Sequence, residues 1–429
     1  MWNAFKNAFR IPELRQRIVF TLLMLIIYRA GIYIPVPGVN LQEWTNFFNS
    51  SQDQAFGGLF SFYDVFAGGA LQKFSIMMMS VTPYINASII LTLLSSIIPS
   101  LKELSKEGEE GRKKMAKYTR YLTVGMGLIL GLVLSISIAR NPALIVPGIH
   151  PFFFVFVSTI TILAGTMFAI WLGERITEKG IGNGISVLIF AGIVARYPSY
   201  IGQAIIGQAG VMEWIITIAI MVAMVVAIVY VQQGERRINV QYARRVSGRR
   251  VYGGQSTYIP MKVNQSGVLP IIFGQAIMVI PTAIASLSGS AEVTRWIGTN
   301  GYLYVPIYAV LIFFFSYFYS VVSFNVHDVS DNIKKYGGFI PGIRPGAPTE
   351  KYMTKVLNKM TFMGAIFLVL IAVIPYIFSS FLGMNMWLGG TSALIAVGVA
   401  LDILQQMEAH MIMRNYDGFV KKGRLKGRR

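Results

Sequence analysis

Apolar residues run in long unbroken blocks, without the two-residue alternation of strands or the single stripe of a surface helix. Ile18–Ile34 and Tyr121–Ala139 are examples. Runs of roughly 17–25 apolar residues match the hydrocarbon thickness of a bilayer. The pattern predicts ten membrane-spanning helices, at about 18–34, 74–98, 118–139, 152–172, 184–204, 212–232, 266–287, 304–325, 360–380 and 386–410. Between them, Ser100–Lys117 is a mixed charge run (KELSKEGEEGRKK), read as a solvated face and as helix extension. Gly234–Asn264 and Val326–Lys355 are expected to be long loops, combining basic residues with Gly, Pro and aromatics, and loops of that length are usually functional or disordered. Phe56–Leu71 (FGGLFSFYDVFAGGAL) is hydrophobic, too short to span, and bracketed by Gly57–Gly58 and Gly68–Gly69. Its residues leave two readings open: an amphipathic helix on the outer surface, or a re-entrant piece feeding the second span.

Composition sharpens the class. Of the 429 residues, 54% are hydrophobic and 13% charged, against about 25% charged in soluble domains. The absence of cysteine excludes disulfides, thiol catalysis and Cys-ligated metals. Met1–Arg17 reads as a basic polar helix. The apolar run after it is too long for a signal-peptide core and lacks a small-residue cleavage site, so it is expected to remain as the first span. The net charge is +19, and its placement sets the topology. The N-terminus and the even-numbered connections hold 33 of the 38 basic residues, leaving Arg29, Lys73, Arg140, Arg196 and Arg295 for the other side. By the positive-inside rule both termini are expected to be cytoplasmic. The tail Lys421–Arg429 is polybasic and suits either anionic lipid headgroups or a partner.

The span interiors carry almost no titratable groups, which argues against an ion-coupled transporter. Asp402, near the cytoplasmic end of the last span, and Arg29, near the outer end of the first, are read as structural ties. Uncharged polar residues do stand mid-span: Asn86, Ser88 and Thr92 in the second, Gln275 in the seventh. Such groups are hydrogen-bond glue between helices, or they mark a seam that parts. There is no HExxH string, no Ser–His pairing and no Walker A string, so neither a membrane protease nor an ATPase is expected. His150, His327 and His410 are scattered, and no metal, cofactor or catalytic residue is assigned.

Several strings are more specific. FAGGALQKFSIMMMSVTPYINASIILTLL (66–94), GERITEKGIGNGISVLIFAGIVARYP (173–198), ERRINVQYARR with GRRVYGGQSTYIPMKVNQSGVLPIIF (235–273), YGGFIPGIRPG (336–346) and GGTSALIAVGVALD (389–402) resemble, in order and spacing, the SecY family of protein-conducting channels. The basic cytoplasmic loops resemble its bacterial members.

The resemblance implies an all-α polytopic membrane protein. Its ten transmembrane helices would form two pseudo-symmetric five-helix halves, a clamshell around a central pore. On that pattern, residues 1–17 are a cytoplasmic amphipathic helix, 18–207 and 208–410 the two halves, and 411–429 a basic cytoplasmic tail. The implied function is that of the channel-forming subunit of the general protein translocase. It would conduct unfolded polypeptides across the cytoplasmic membrane and release transmembrane segments laterally. The pore ring would be Ile85, Ile89, Ile189, Ile193, Ile272 and Ile395, with Leu269 adjacent. A plug at about 56–69 would include Gly57, Gly58, Phe60, Phe62, Tyr63, Asp64, Gly68 and Gly69, the glycines acting as hinges and Asp64 giving a polar face toward the external funnel. Ser88, Thr92 and Gln275 would lie at a lateral gate. Loops 234–264 and 326–355 would dock a motor or ribosome through Arg236, Arg237, Arg244, Arg245, Arg249, Arg250 and Arg344. The implied partners are the small membrane subunits SecE and SecG, the SecA motor ATPase, the ribosome, signal sequences, translocating polypeptides and anionic lipids. The chain itself would be a passive channel and not an enzyme.

Overall fold

The computed structural model describes residues 11–51, 64, 67–198, 202, 211–242, 245–247, 250–252, 256–287, 291–298, 301–382 and 389–422. The chain divides into two compact units, Met1–Gln203 with Val399–Arg429, and Ala204–Gly398. The first holds α1 (Pro12–Gly31), α2 (Leu41–Ser51), α3 (Thr82–Ile97), α4 (Pro99–Lys106), α5 (Glu109–Ala139), α6 (Pro151–Lys179) and α7 (Gly184–Val194). The second holds α8 (Val211–Gln233), β1 (Glu235–Tyr242), β2 (Arg245–Ser247), β3 (Arg250–Tyr252), β4 (Ser256–Lys262), α9 (Leu269–Leu287), α10 (Ala291–Ile297), α11 (Tyr304–Ser323), α12 (Val326–Lys335), β5 (Gly338–Phe339) and α13 (Ala347–Leu382). The last helix, α14 (Gly390–Lys422), contributes its first residues to the second unit and the rest to the first.

Each predicted span overlaps one of α1, α3, α5, α6, α7, α8, α9, α11, α13 and α14. Among the described residues, α5, α6, α8, α11, α13 and α14 carry stretches long and apolar enough to cross a bilayer, and α3, α7 and α9 carry shorter apolar runs. The second span departs from expectation at its start. Residues 74–81 are turns, with Phe74 and Ser80 at φ 43° and 48°, and helix begins at Thr82. Pro83 explains this. A helix running through it would lose a hydrogen bond and drive its ring against the carbonyl of Met79, so it is tolerated where a helix starts. The charged run Ser100–Lys117 folds as helix on both sides of Gly108.

In the first unit, α5 buries Thr119, Thr123, Gly127, Gly131 and Ser135, spaced four residues apart along one face. A Cβ on Gly127 would come 2.9 Å from Leu163, and one on Gly131 would come 3.4 Å from Thr159. This stripe of small residues lets α6 approach closely, the usual solution where lipid supplies no hydrophobic drive between helices. The Thr159 hydroxyl donates to Ser135 Oγ at 3.3 Å along the same contact.

The turn joining α6 to α7 is held from distant parts of the sequence. Arg17 donates to the Gly180 carbonyl at 3.3 Å, and Thr21 Oγ1 accepts from Ile181 N at 3.1 Å. Gln406 Oε1 accepts from Gly182 N at 2.8 Å, and Thr177 Oγ1 accepts from Gly184 N at 2.8 Å. Asn183 caps α7 by accepting from Ser186 N. An unpaired buried backbone N–H is rare because it forfeits its hydration, and side chains on α1, α6 and α14 supply the partners here.

In the second unit the expected loops are largely structured. Antiparallel β1 and β4 pair from Glu235–Lys262 to Gln241–Ser256, and β5 adds to β1 at Gln241–Phe339. The physical reason is the alternation in ERRINVQY, which turns Ile238 and Val240 inward and Arg237 and Asn239 outward. Ile238, Val240 and Met261 pack with Ile333 of α12, and with Met353 and Val356 of α13, into one core. A second core, built from Met224, Ile228, Ile271, Tyr308, Ile312, Leu368 and Leu394, joins α8, α9, α11, α13 and the start of α14. Among the described residues the spans are helical apart from the turns at 74–81, and the small sheet lies in the basic connections.

Candidate functional site

The segment leading from residue 64 into α3 is the most constrained polar region of the first unit. Although the family resemblance implies a polar face turned to an external funnel, the Asp64 carboxylate is buried, at 1% exposure. Its Oδ2 lies 2.5 Å from Nη1 of Arg196, and its Oδ1 accepts from the backbone N–H groups of Leu71 (3.0 Å) and Gln72 (3.1 Å). The guanidinium and the two amides supply what water would otherwise provide, which is the condition for burying a carboxylate. The Asp64 carbonyl also accepts from Gly69 N at 3.0 Å, so Asp64 is tied to Gly69, Leu71 and Gln72.

Three further contacts seat this loop. Arg29 of α1 donates to the Gly68 carbonyl at 2.9 Å. A Cβ on Gly68 would lie 2.7 Å from Cα of Gly192 on α7, so Gly68 occupies a slot where backbone meets backbone. Gly68 and Gly69 take φ of +66° and +88°, the left-handed region that side chains disfavour. Trp44 of α2 covers the other side, its indole N–H donating to the Leu71 carbonyl at 3.0 Å. Of the expected plug residues, Gly57, Gly58, Phe60, Phe62 and Tyr63 lie outside the described residues.

The expected ring residues divide between the units. Ile85 and Ile89 are half-buried and four residues apart on α3. Ile189 and Ile193 are four apart on α7, at 7% and 2% exposure. In the second unit, Ile272 is half-buried near the start of α9, just after Leu269, and Ile395 is buried on α14 beside Leu394 of the core. A spacing of four stacks each pair on one helix face.

The Thr92 hydroxyl bonds back to the Ser88 carbonyl at 2.8 Å, and Ser95 to the Thr92 carbonyl at 2.7 Å. Back-bonding of this kind satisfies the hydroxyl within its own helix and leaves the helix surface weakly polar. On α9 the Gln275 side-chain oxygen is buried and has no hydrogen-bond partner among the described residues.

The basic connections present a second surface. Arg236 and Arg237 are exposed on β1, and Arg237 both pairs with Glu235 at 2.7 Å and lies 4.7 Å over the ring of Tyr258. Arg245 and Arg250 belong to the β2–β3 hairpin, opposite Tyr252 and Ser247. Arg244 and Arg249 lie outside the described residues. Arg344 is exposed in a turn bounded by Gly342 and Gly346, both at positive φ, and its carbonyl accepts from Thr349 Oγ1 at 2.9 Å. A shallow depression of about 550 Å³ is lined by Lys334, Phe339, Arg344 and Pro345, among others. On the far side of the turn, His327 Nδ1 lies 3.1 Å from Glu350 and Nε2 lies 3.6 Å from Asp331. The carboxylates, Glu350 first, hold the His327 imidazole above its ordinary pKa.

Reading the sequence alone passes over Arg196 and Gln406. The available signal was that Arg196 is one of the five basic residues the charge pattern sets apart from the other 33, so a carboxylate expected on the same side, such as Asp64, had few partners to choose from.

A family model for SecY matches residues 75–404. The protein translocase subunit SecY of Thermotoga maritima is 61% identical over 431 residues, covering 100% of both chains. A solved protein-conducting channel shares the fold with a TM-score of 0.61 at 18% identity, over 94% of this chain and 96% of that one. So does a SecY structure concerned with a plug domain that stabilises the closed state and maintains a membrane seal, with a TM-score of 0.60 at 18% identity over the same shares of the two chains. The helices, the strings that run along them and this full-length identity agree: the chain belongs to the SecY family of channel-forming protein translocase subunits.

Proposed function

We propose that Ile85, Ile89, Ile189, Ile193, Ile272 and Ile395 converge on one constriction through which unfolded polypeptides cross the membrane. The observation that carries this reading is the chemistry of the helices that bear them. Two pairs stack at a spacing of four on α3 and α7, and α3, α7 and α9 contain no Asp, Glu, Lys or Arg. A narrow aliphatic constriction excludes ions by dewetting and offers them no charged site. It still deforms around almost any side chain, because apolar contact is non-directional. Isoleucine is stiff at χ1, so the edge of the constriction stays defined when nothing passes.

Residues 56–69 act as a plug beneath this ring, on the external side. The lateral gate is formed by α3 and α9, with Ser88, Thr92 and Gln275 at its seam. The self-satisfied hydroxyls of α3 and the unpartnered Gln275 oxygen support this, since a seam that must part cannot depend on strong contacts across it. An arriving signal sequence or transmembrane segment enters lipid there.

The connections 234–264 and 326–355 face the cytoplasm and dock a partner that supplies the energy, the SecA motor ATPase or the ribosome. Arg236, Arg237, Arg244, Arg245, Arg249, Arg250 and Arg344 are the contacts, to acidic protein surface or to RNA phosphate. SecE and SecG complete the complex in the bacterial cytoplasmic membrane, with both termini cytoplasmic and the basic tail against anionic headgroups. The test is reconstitution of the complex into vesicles with the motor. A secretory precursor becomes protease-protected only with ATP. Precursor that stays accessible, together with uptake of a small solute by the chain alone, would overturn the reading.

A further inference from the structure

We infer that Asp64 and Arg196 are positioning residues, a charge clamp that fixes the root of the plug to α1 and α7 while the channel is closed. This rests on the plug reading proposed above and adds what holds the plug in register.

The geometry is specific. The carboxylate of Asp64 is nearly inaccessible, and the Arg196 guanidinium and the amides of Leu71 and Gln72 lie within 3.1 Å of it. Arg196 itself is 16% exposed and follows directly on the turn that ends α7. The same loop is gripped by Arg29, through the Gly68 carbonyl, and has no room for a side chain where Gly68 meets Gly192. Two arginines, from α1 and from the end of α7, thus hold Gly68 and Asp64. They are two of the five basic residues on the outer side of the membrane. An ordinary loop between spans needs no such investment of charge.

A buried ion pair contributes little by existing, but removing one partner strands the other charge in a low-dielectric site. The clamp therefore responds sharply to the loss of either member and mildly to the loss of both. A root held this way stays in register while the pair is intact.

The experiment measures resting ion conductance of the reconstituted complex in planar bilayers for Asp64→Asn, Arg196→Gln, the double variant, Arg196→Lys and a deletion of residues 56–63. Each neutralising single variant is expected to raise resting conductance roughly tenfold, the double variant less than either single, and Arg196→Lys hardly at all. Detergent-solubilised complex of each variant must elute as the parent does, and the lysine variant keeps the test alive should a neutral one misassemble. If the deletion stays silent, the plug reading fails. If the deletion leaks while Asp64→Asn and Arg196→Gln both stay sealed, the plug stands and the clamp is refuted.

Discussion

The Tyr28 hydroxyl lies 2.6 Å from the Ser80 hydroxyl, both residues fully buried, and this contact ties the C-terminal part of α1 to the turn that precedes α3. Ser80 sits at φ 48°, a conformation an L-residue adopts only when its surroundings over-determine it. Tyr28→Phe leaves the serine hydroxyl buried without this partner, and should lower stability by about 1–3 kcal/mol. Adding Ser80→Ala should recover much of that loss, since removing both polar groups leaves nothing unsatisfied. Thermal unfolding of the purified complex in detergent, followed for both variants, checks the pair.

Ring composition predicts a conductance phenotype separable from folding. With Ile85, Ile89, Ile189 and Ile193 changed to Ser, the constriction wets and resting single-channel current appears. Recordings that remain silent would mean that these four side chains do not line the constriction.

His327 gives the connection between α11 and α13 a pH dependence whose sign follows from its partners. Its pKa is raised above the ordinary 6.5, because the Glu350 hydrogen bond and then the Asp331 charge favour the imidazolium. The attachment of α12 to the start of α13 that this provides is fully present below that ordinary value, and is lost as pH rises through the folded-state pKa. An NMR titration of His327 in the full complex should report a pKa above 6.5 that falls in Glu350→Gln. An unchanged pKa in that variant would show that the Glu350 contact is not formed in solution.

Arg344 stands exposed in a turn whose backbone is pinned by Thr349 and by the Ser330 hydroxyl on the Gly346 carbonyl, at 3.2 Å. Because its side chain holds none of these bonds, Arg344→Glu should leave the complex folded. Motor-driven protection of a precursor should fall at least about tenfold, the effect of opposing like charge at a docking surface. Normal translocation by this variant would place docking elsewhere.

The spans were legible because a bilayer demands uniform apolarity over a fixed length, and that demand is written locally. Their ends were less so. Residues 74–81 are as oily as the helix they precede, yet they turn, since apolarity reports burial and not backbone conformation. Only Pro83 marks the true start. The β1–β4 hairpin was readable from the alternation around Ile238 and Val240, but the arginines and glycines of the same stretch suggest a loop. The Asp64–Arg196 pair left no local trace at all. Its members are separated by α3 to α7, and no periodicity encodes a partner at that distance.

The turn between α6 and α7 draws one of its acceptors from Gln406, near the far end of the chain. Synthesis delivers that residue only after the whole second unit. Until it arrives, the Gly182 amide lacks the acceptor that the finished fold gives it, and Met407 is missing from the small cluster with Leu14 and Ile181. The part of the molecule made first is therefore completed last. A nascent chain halted before Val399 carries the whole second unit but an unfinished first one, and a premature stop codon upstream of Gln406 should yield a product that quality-control proteases recognise.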